Sequence, residues 1–64
     1  MKNWELEKKI EEWVKAIMTI KAEIELKTVE TENEDVKNAL FHAAEGLVDA
    51  FDSLRMAYEK LVRE

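Results

Sequence analysis

The segment from Val36 to Val62 constrains the fold most, because its apolar residues fall into three rows at helical spacing. Val36, Leu40, Leu47, Leu54 and Leu61 make a row of large residues. Ala39, Ala43, Gly46, Ala50, Ser53 and Ala57 make a row of small ones, stepping four and three residues alternately. Phe41, Ala44, Val48, Phe51, Tyr58 and Val62 make a third row, interrupted by Arg55. At about 100° per residue these rows lie side by side over about half the helix circumference. A helix with one neighbour needs only a narrow stripe, so this one is expected to pack against two or more. The small row lets a facing backbone come close and is expected at the tightest helix–helix contact.

Upstream, Leu6, Ile10, Trp13, Ile17, Ile20 and Ile24 also step four and three residues alternately, a heptad seam on a first helix that Asn3 would cap. The two faces are complementary, with bulky branched residues on one and large-and-small alternation on the other. Charges flank the seam, and Glu5–Lys9, Glu11–Lys15 and Glu23–Lys27 have the favourable i, i+4 order of a solvated helix surface. Trp4, Met18, Ala22, Leu26 and Val29 project away from Ile10 and Ile17. If continuous in an assembly, they would form a second interface, so Trp4, Met18, Leu26 and Val29 are candidate partner-binding residues.

Between the helices, Thr28, Val29 and Thr31 are poor helix formers. Thr31-x-x-Glu34 has the form of a capping box, with Asn33 as the alternative cap. Twelve residues separate Ile24 from Val36, which matches no nearby sum of heptad steps, so one continuous helix would carry the two seams out of phase. The expected fold is therefore all-α: a single domain over residues 1–64, with helix one over about 3–29, a turn at about 30–33 and helix two over about 34–63. A chain of 64 residues without cysteine can draw neither on disulfides nor on cysteine-bound metal to offset a small core. Self-association is the remaining source of stability, and the hairpin is expected to dimerise into a four-helix bundle. The expected oligomer interface comprises Leu6, Ile10, Trp13, Ile17, Ile20, Ile24, Leu40, Ala43, Leu47, Ala50, Phe51, Leu54, Ala57, Tyr58 and Leu61.

Fifteen acidic against ten basic residues give a formal charge of −5. Between Glu30 and Asp52 seven carboxylates face only Lys37, so a phosphate backbone would be repelled there. No apolar run approaches the ~18 residues of a membrane span, and no leader is recognisable, so a cytoplasmic location is expected.

Chemistry-bearing patterns are sparse. His42 shares a polar helix face with Glu45, Asp49 and Asp52, but one exposed helix supplying every ligand is a poor metal site, and none is expected. His42-Ala43-Ala44-Glu45-Gly46 resembles the HxxKG region of histidine phosphotransfer domains. Glu45 stands where that family carries a lysine and would repel the phosphoryl group. The paired ExxE and ExxD motifs of the all-α nucleotide pyrophosphatases are missing, as are a Ser–His–acid set and a phosphate-cradling glycine loop. No cofactor and no catalysis are expected.

Asp35-Val36, Leu40, Ala44 and Leu47 are similar to the second helix of Rop-like helical-hairpin dimers, and the small-and-large core alternation is likewise Rop-like. That resemblance implies a homodimeric four-helix bundle. RNA recognition in that family uses polar, basic and aromatic residues on the outside of helix one, which have no counterpart set here. The expected function is that of a small non-enzymatic, homo-oligomeric regulator or adaptor acting on another protein. An RNA-binding regulator is the alternative.

Overall fold

The computed structural model describes residues 3–63 as two helices, α1 (Asn3–Glu30) and α2 (Glu34–Arg63), packed side by side as an antiparallel hairpin. The rod measures 48 × 14 × 14 Å. No strand occurs among the described residues, and none of their helices is long and apolar enough to cross a membrane.

The reversal takes three residues and is held by Asn33. Its side-chain Oδ1 accepts from the Val36 N–H at 3.1 Å, and its carbonyl accepts the first helical bond of α2, from the Lys37 N–H at 2.9 Å. Asn33 is therefore the N-cap, and the Thr31–Glu34 capping box does not form. Thr31 instead closes the end of α1: its N–H donates to the Lys27 carbonyl at 3.1 Å, while its hydroxyl accepts from the Asn33 N–H at 3.4 Å. Glu34 and Asp35 then sit where the positive end of the α2 dipole favours carboxylates, and Lys60 and Arg63 sit at its negative end. A tight reversal without glycine or proline follows from this division of labour between two short polar side chains.

The two helices touch along one stripe each. On α1 the shielded residues of that stripe include Ile10, Val14, Ile17, Lys21, Ile24 and Thr28; on α2 they include Leu40, Ala44, Leu47, Phe51, Leu54, Tyr58 and Leu61. Both sets repeat every three or four residues, the knobs-into-holes pattern of near-antiparallel helices. Ile10, Ile17 and Ile24 occupy the contact, but Trp13 and Ile20 are 46% and 47% exposed. Helix α1 is rotated so that Val14 and Lys21 take their places on the inner edge. Lys21 does so by laying its stem along the seam while its ammonium reaches Glu25 at 2.9 Å.

A second departure concerns the small row of α2. Ala39, Ala43, Gly46, Ser53 and Ala57 are exposed, and only Ala50 is half-buried. A Cβ built on Gly46 would meet nothing within 4 Å. The tightest contact within the hairpin is thus made by large residues, because a single neighbour can cover only the middle of a half-circumference face.

Among the described residues the expected Glu5–Lys9, Glu11–Lys15 and Glu23–Lys27 pairs do not form: Lys9 reaches Glu12 at 3.4 Å and Lys27 reaches Glu30 at 3.0 Å. All are solvated and contribute little. Replacing Asn33 by Ala removes the cap of α2 and is expected to cost about 1 kcal/mol. Chemical denaturation at fixed protein concentration checks this, and an unchanged midpoint would assign the turn to packing alone.

Candidate interaction surfaces

Ile10, 4% exposed, is the only buried residue among those described. The hairpin leaves 5174 Å² accessible, whereas a compact monomer of 7.5 kDa would expose about 4,200 Å². The excess is close to the ~800 Å² that each partner loses in a standard protein–protein interface. Large hydrophobic side chains are exposed on two flanks of the rod, one on either side of the helix–helix seam.

The first flank carries three neighbouring concavities between residues 10–29 of α1 and 41–58 of α2 that together make a groove. Toward the open end its walls are Ile10, Glu11, Val14, Lys15, Phe51, Arg55 and Tyr58. Ile17, Met18, Lys21, Val48 and Phe51 line its middle, and Lys21, Glu25, Thr28, Val29, Phe41, Ala44, Glu45 and Val48 line the part nearest the turn. The third row of α2 thus forms its wall, with Phe41 59% exposed. Met18 and Val29 of the candidate partner set belong to this groove. Trp4 and Leu26 are exposed on the same side of α1 but line none of these three parts.

The second flank carries the small row. Taken at 100° per residue, Leu6, Trp13 and Ile20 of α1 and Ala39, Ala43, Ala50 and Ala57 of α2 point to the same side of the seam, opposite the groove. Two bulky exposed side chains on one helix therefore stand beside a shelf of alanines on the other. Of the expected interface residues, Ile10, Ile17, Ile24, Leu40, Leu47, Leu54 and Leu61 are shared with the seam of the hairpin. Trp13, Ile20, Ala43 and Ala57 are exposed on this flank. Phe51 and Tyr58 turn instead toward the groove.

Tyr58 shows how groove and charge meet. Its hydroxyl donates to Glu11 Oε1 across the two helices at 3.3 Å. The Glu11 charge, partial burial, that hydrogen bond and the more distant Glu7 all favour the neutral phenol, so its pKa is raised above 10.0. No sequence pattern pointed to this contact, since the partners stand 47 residues apart and meet only through the register of the hairpin.

His42 is fully on the outside, with Nδ1 3.7 Å from Glu45 Oε2. Among the described residues no three His, Asp or Glu side chains gather closely enough to hold a metal ion. Compared with known protein families, characterised proteins and solved structures, the chain matches none of them. The resemblance to Rop-like hairpins therefore rests on residues 35–47 and the architecture alone.

Because Tyr58 is the one tyrosine, its ionisation is read directly from tyrosinate absorbance. The folded chain is expected to titrate above the free phenol, and Glu11→Gln to bring the midpoint back down. Linkage then gives a loss of stability as the pH rises above about 10, through the folded-state pKa, since the unfolded phenol loses its proton first. A wild-type midpoint at or below the free value would show that the Glu11 contact is absent in solution.

Proposed function

We propose that this protein is a small non-enzymatic interaction module: a hairpin that self-associates through the small-residue flank into a four-helix bundle and binds another protein through what remains exposed. The observation that carries the proposal is the mismatch between a core of one residue among those described and about 900 Å² of surface beyond that of a compact monomer, with large hydrophobic side chains exposed on two flanks. A chain this short needs a partner to bury apolar area, at roughly 25 cal/mol per Å². The alanine shelf beside Trp13 and Ile20 suits a second copy, because small residues admit a facing helix to 8–10 Å while the large side chains fill the space between.

The groove on the opposite flank, with Phe41, Val48 and Met18 exposed, would then stay free for a different protein. The acidic turn beside it favours a basic partner over nucleic acid. The regulator or adaptor role, action without catalysis and a cytoplasmic setting belong to this proposal, and no cofactor is required by it.

Sedimentation equilibrium at micromolar concentration is expected to give a dimer. Ala43→Leu separates the proposal from a lone hairpin. On an exposed helix face the change is close to neutral, whereas in a bundle it overpacks the interface by roughly 1–3 kcal/mol or alters the oligomer. Asn38→Leu, on the outer face, serves as the control and should leave mass and melting temperature nearly unchanged. A stable folded monomer, indifferent to Ala43→Leu, would overturn the assembly. Tight binding of structured RNA that collapses as salt is raised would instead favour an RNA regulator.

A further inference from the structure

The walls of the groove carry charge in register. Glu11 of α1 stands opposite Tyr58 of α2, and in an antiparallel pair each step along one helix is a step back along the other. One helical turn nearer the hairpin turn, Lys15 of α1 therefore comes level with Arg55 of α2. About three turns further, Glu25 comes level with Glu45. Lys15 and Arg55 line one concavity and Glu25 and Glu45 line another, so a level of two cations and a level of two carboxylates lie about 15 Å apart along the same groove. Between them Ile17, Met18, Val48 and Phe51 form an apolar stretch whose one charged neighbour, Lys21, is turned to Glu25 at 2.9 Å.

The two cations are unspent. Lys15 stands four residues after Glu11, but that carboxylate accepts from the Tyr58 hydroxyl on the other helix. Arg55 has Asp52 three residues before it and Glu59 four after, and it pairs with neither. No ion pair among the described residues uses Lys15 or Arg55. Arg55 also interrupts the third row of α2, between Phe51 and Tyr58, where an apolar side chain would extend the groove floor. Three charged side chains line each end of the groove: Glu11, Lys15 and Arg55 leave a positive balance, and Lys21, Glu25 and Glu45 a negative one. The two levels lie further apart than the Debye length of about 8 Å, so each selects its own counter-charge.

The shape selects an elongated occupant. A rod 14 Å across leaves each concavity open on one side, so a small molecule lodged there falls short of the burial, about 70–90%, of ordinary ligand sites. A helix laid along all three concavities covers about 28 Å, or about 18 residues, and completes a three-helix bundle with α1 and α2. The walls dictate its charges, with carboxylates beside its apolar stripe at the level of Lys15 and Arg55 and cations at the level of Glu25 and Glu45. Helices favour carboxylates in the first turn and cations in the last, so such a helix has its N-terminus toward the open end.

We infer that the groove binds an amphipathic helix of another protein, acidic near its N-terminus and basic near its C-terminus, running parallel to α1. The inference rests on the proposed reading of the groove as a protein-binding surface and adds the chemistry and direction of what binds there. Lys15 and Arg55 then set specificity and direction more than affinity.

The probes are two synthetic peptides of one composition, each about 18 residues long with a leucine stripe at three- and four-residue spacing. One carries two glutamates beside the stripe in its second turn and two lysines about ten residues later; the other has them exchanged. Fluorescence polarisation with the full chain at low salt is expected to favour the first by about threefold or more, since each exposed charge pair adds a modest factor. Lys15→Glu combined with Arg55→Glu, at two exposed positions, is expected to erase or invert that ratio. The comparison cancels any difference in helicity between the peptides themselves. Glu25→Lys with Glu45→Lys, at the other level, is expected to lower the ratio independently. Equal affinities on the wild type, or a ratio that survives both double variants, would overturn the assigned charges and direction while leaving the groove a binding surface. Binding of neither peptide would overturn both. Association of the chain beyond a dimer that Arg55→Glu abolishes, read by sedimentation, would assign the groove to a second copy instead.

Discussion

The contact between α1 and α2 is one stripe wide, and most properties of the molecule trace to that limit. Two helices meeting along a single seam shield about a third of each circumference, while the apolar face of α2 spans about half. The seam half-buries a run of leucines and isoleucines but encloses only Ile10. Large hydrophobic side chains on both flanks keep substantial contact with water. A hairpin built this way has little apolar burial to set against the entropy of ordering some sixty residues. The surplus surface is thus a consequence of geometry, with no need for an unusual composition.

The same geometry sorts the exposed residues into two surfaces of different character. On one side, aromatic and branched side chains from α2 line a groove whose other wall mixes apolar residues such as Val14, Met18 and Val29 with the charged Glu11, Lys15 and Glu25. On the other, a bulky pair faces an alanine shelf. The first resembles a docking groove for an amphipathic segment, and the second has the alternation that helix bundles use internally. Under the proposed assembly the division is functional: one flank completes the fold and the other remains available. The acidic pole and the groove end lined by Glu25 and Glu45 lie together near the turn.

Local electrostatics is otherwise quiet. The ion pairs are exposed and short in sequence range, and they support individual helices more than the tertiary contact. Tyr58 with Glu11 is the exception, a polar link from one helix to the other. It joins the two helices toward the open end, where the turn exerts least control. Asn33 does the equivalent at the closed end by setting where α2 begins.

Much of this architecture was legible in the residues. The 3–4 periodicity over Leu6–Ile24 and Val36–Leu61 specifies two amphipathic helices, because it follows from the pitch of the helix and needs no knowledge of neighbours. The twelve-residue offset between the seams required a reversal, and Thr31 and Asn33 marked its place. Which edge of each apolar face turns inward was decided only by the tertiary structure. Periodicity fixes the width and direction of a face relative to its own axis, but the rotation of two helices about their axes depends on how both sets of side chains interlock. That rotation placed Val14 and Lys21 on the seam, exposed Trp13 and Ile20, turned the alanine row outward and brought Tyr58 to Glu11. The choice of Asn33 over the Thr31–Glu34 box was likewise open in the residues, since a Thr31 cap would accept from the Glu34 N–H and start α2 two residues earlier, whereas Asn33 accepts from the Val36 N–H.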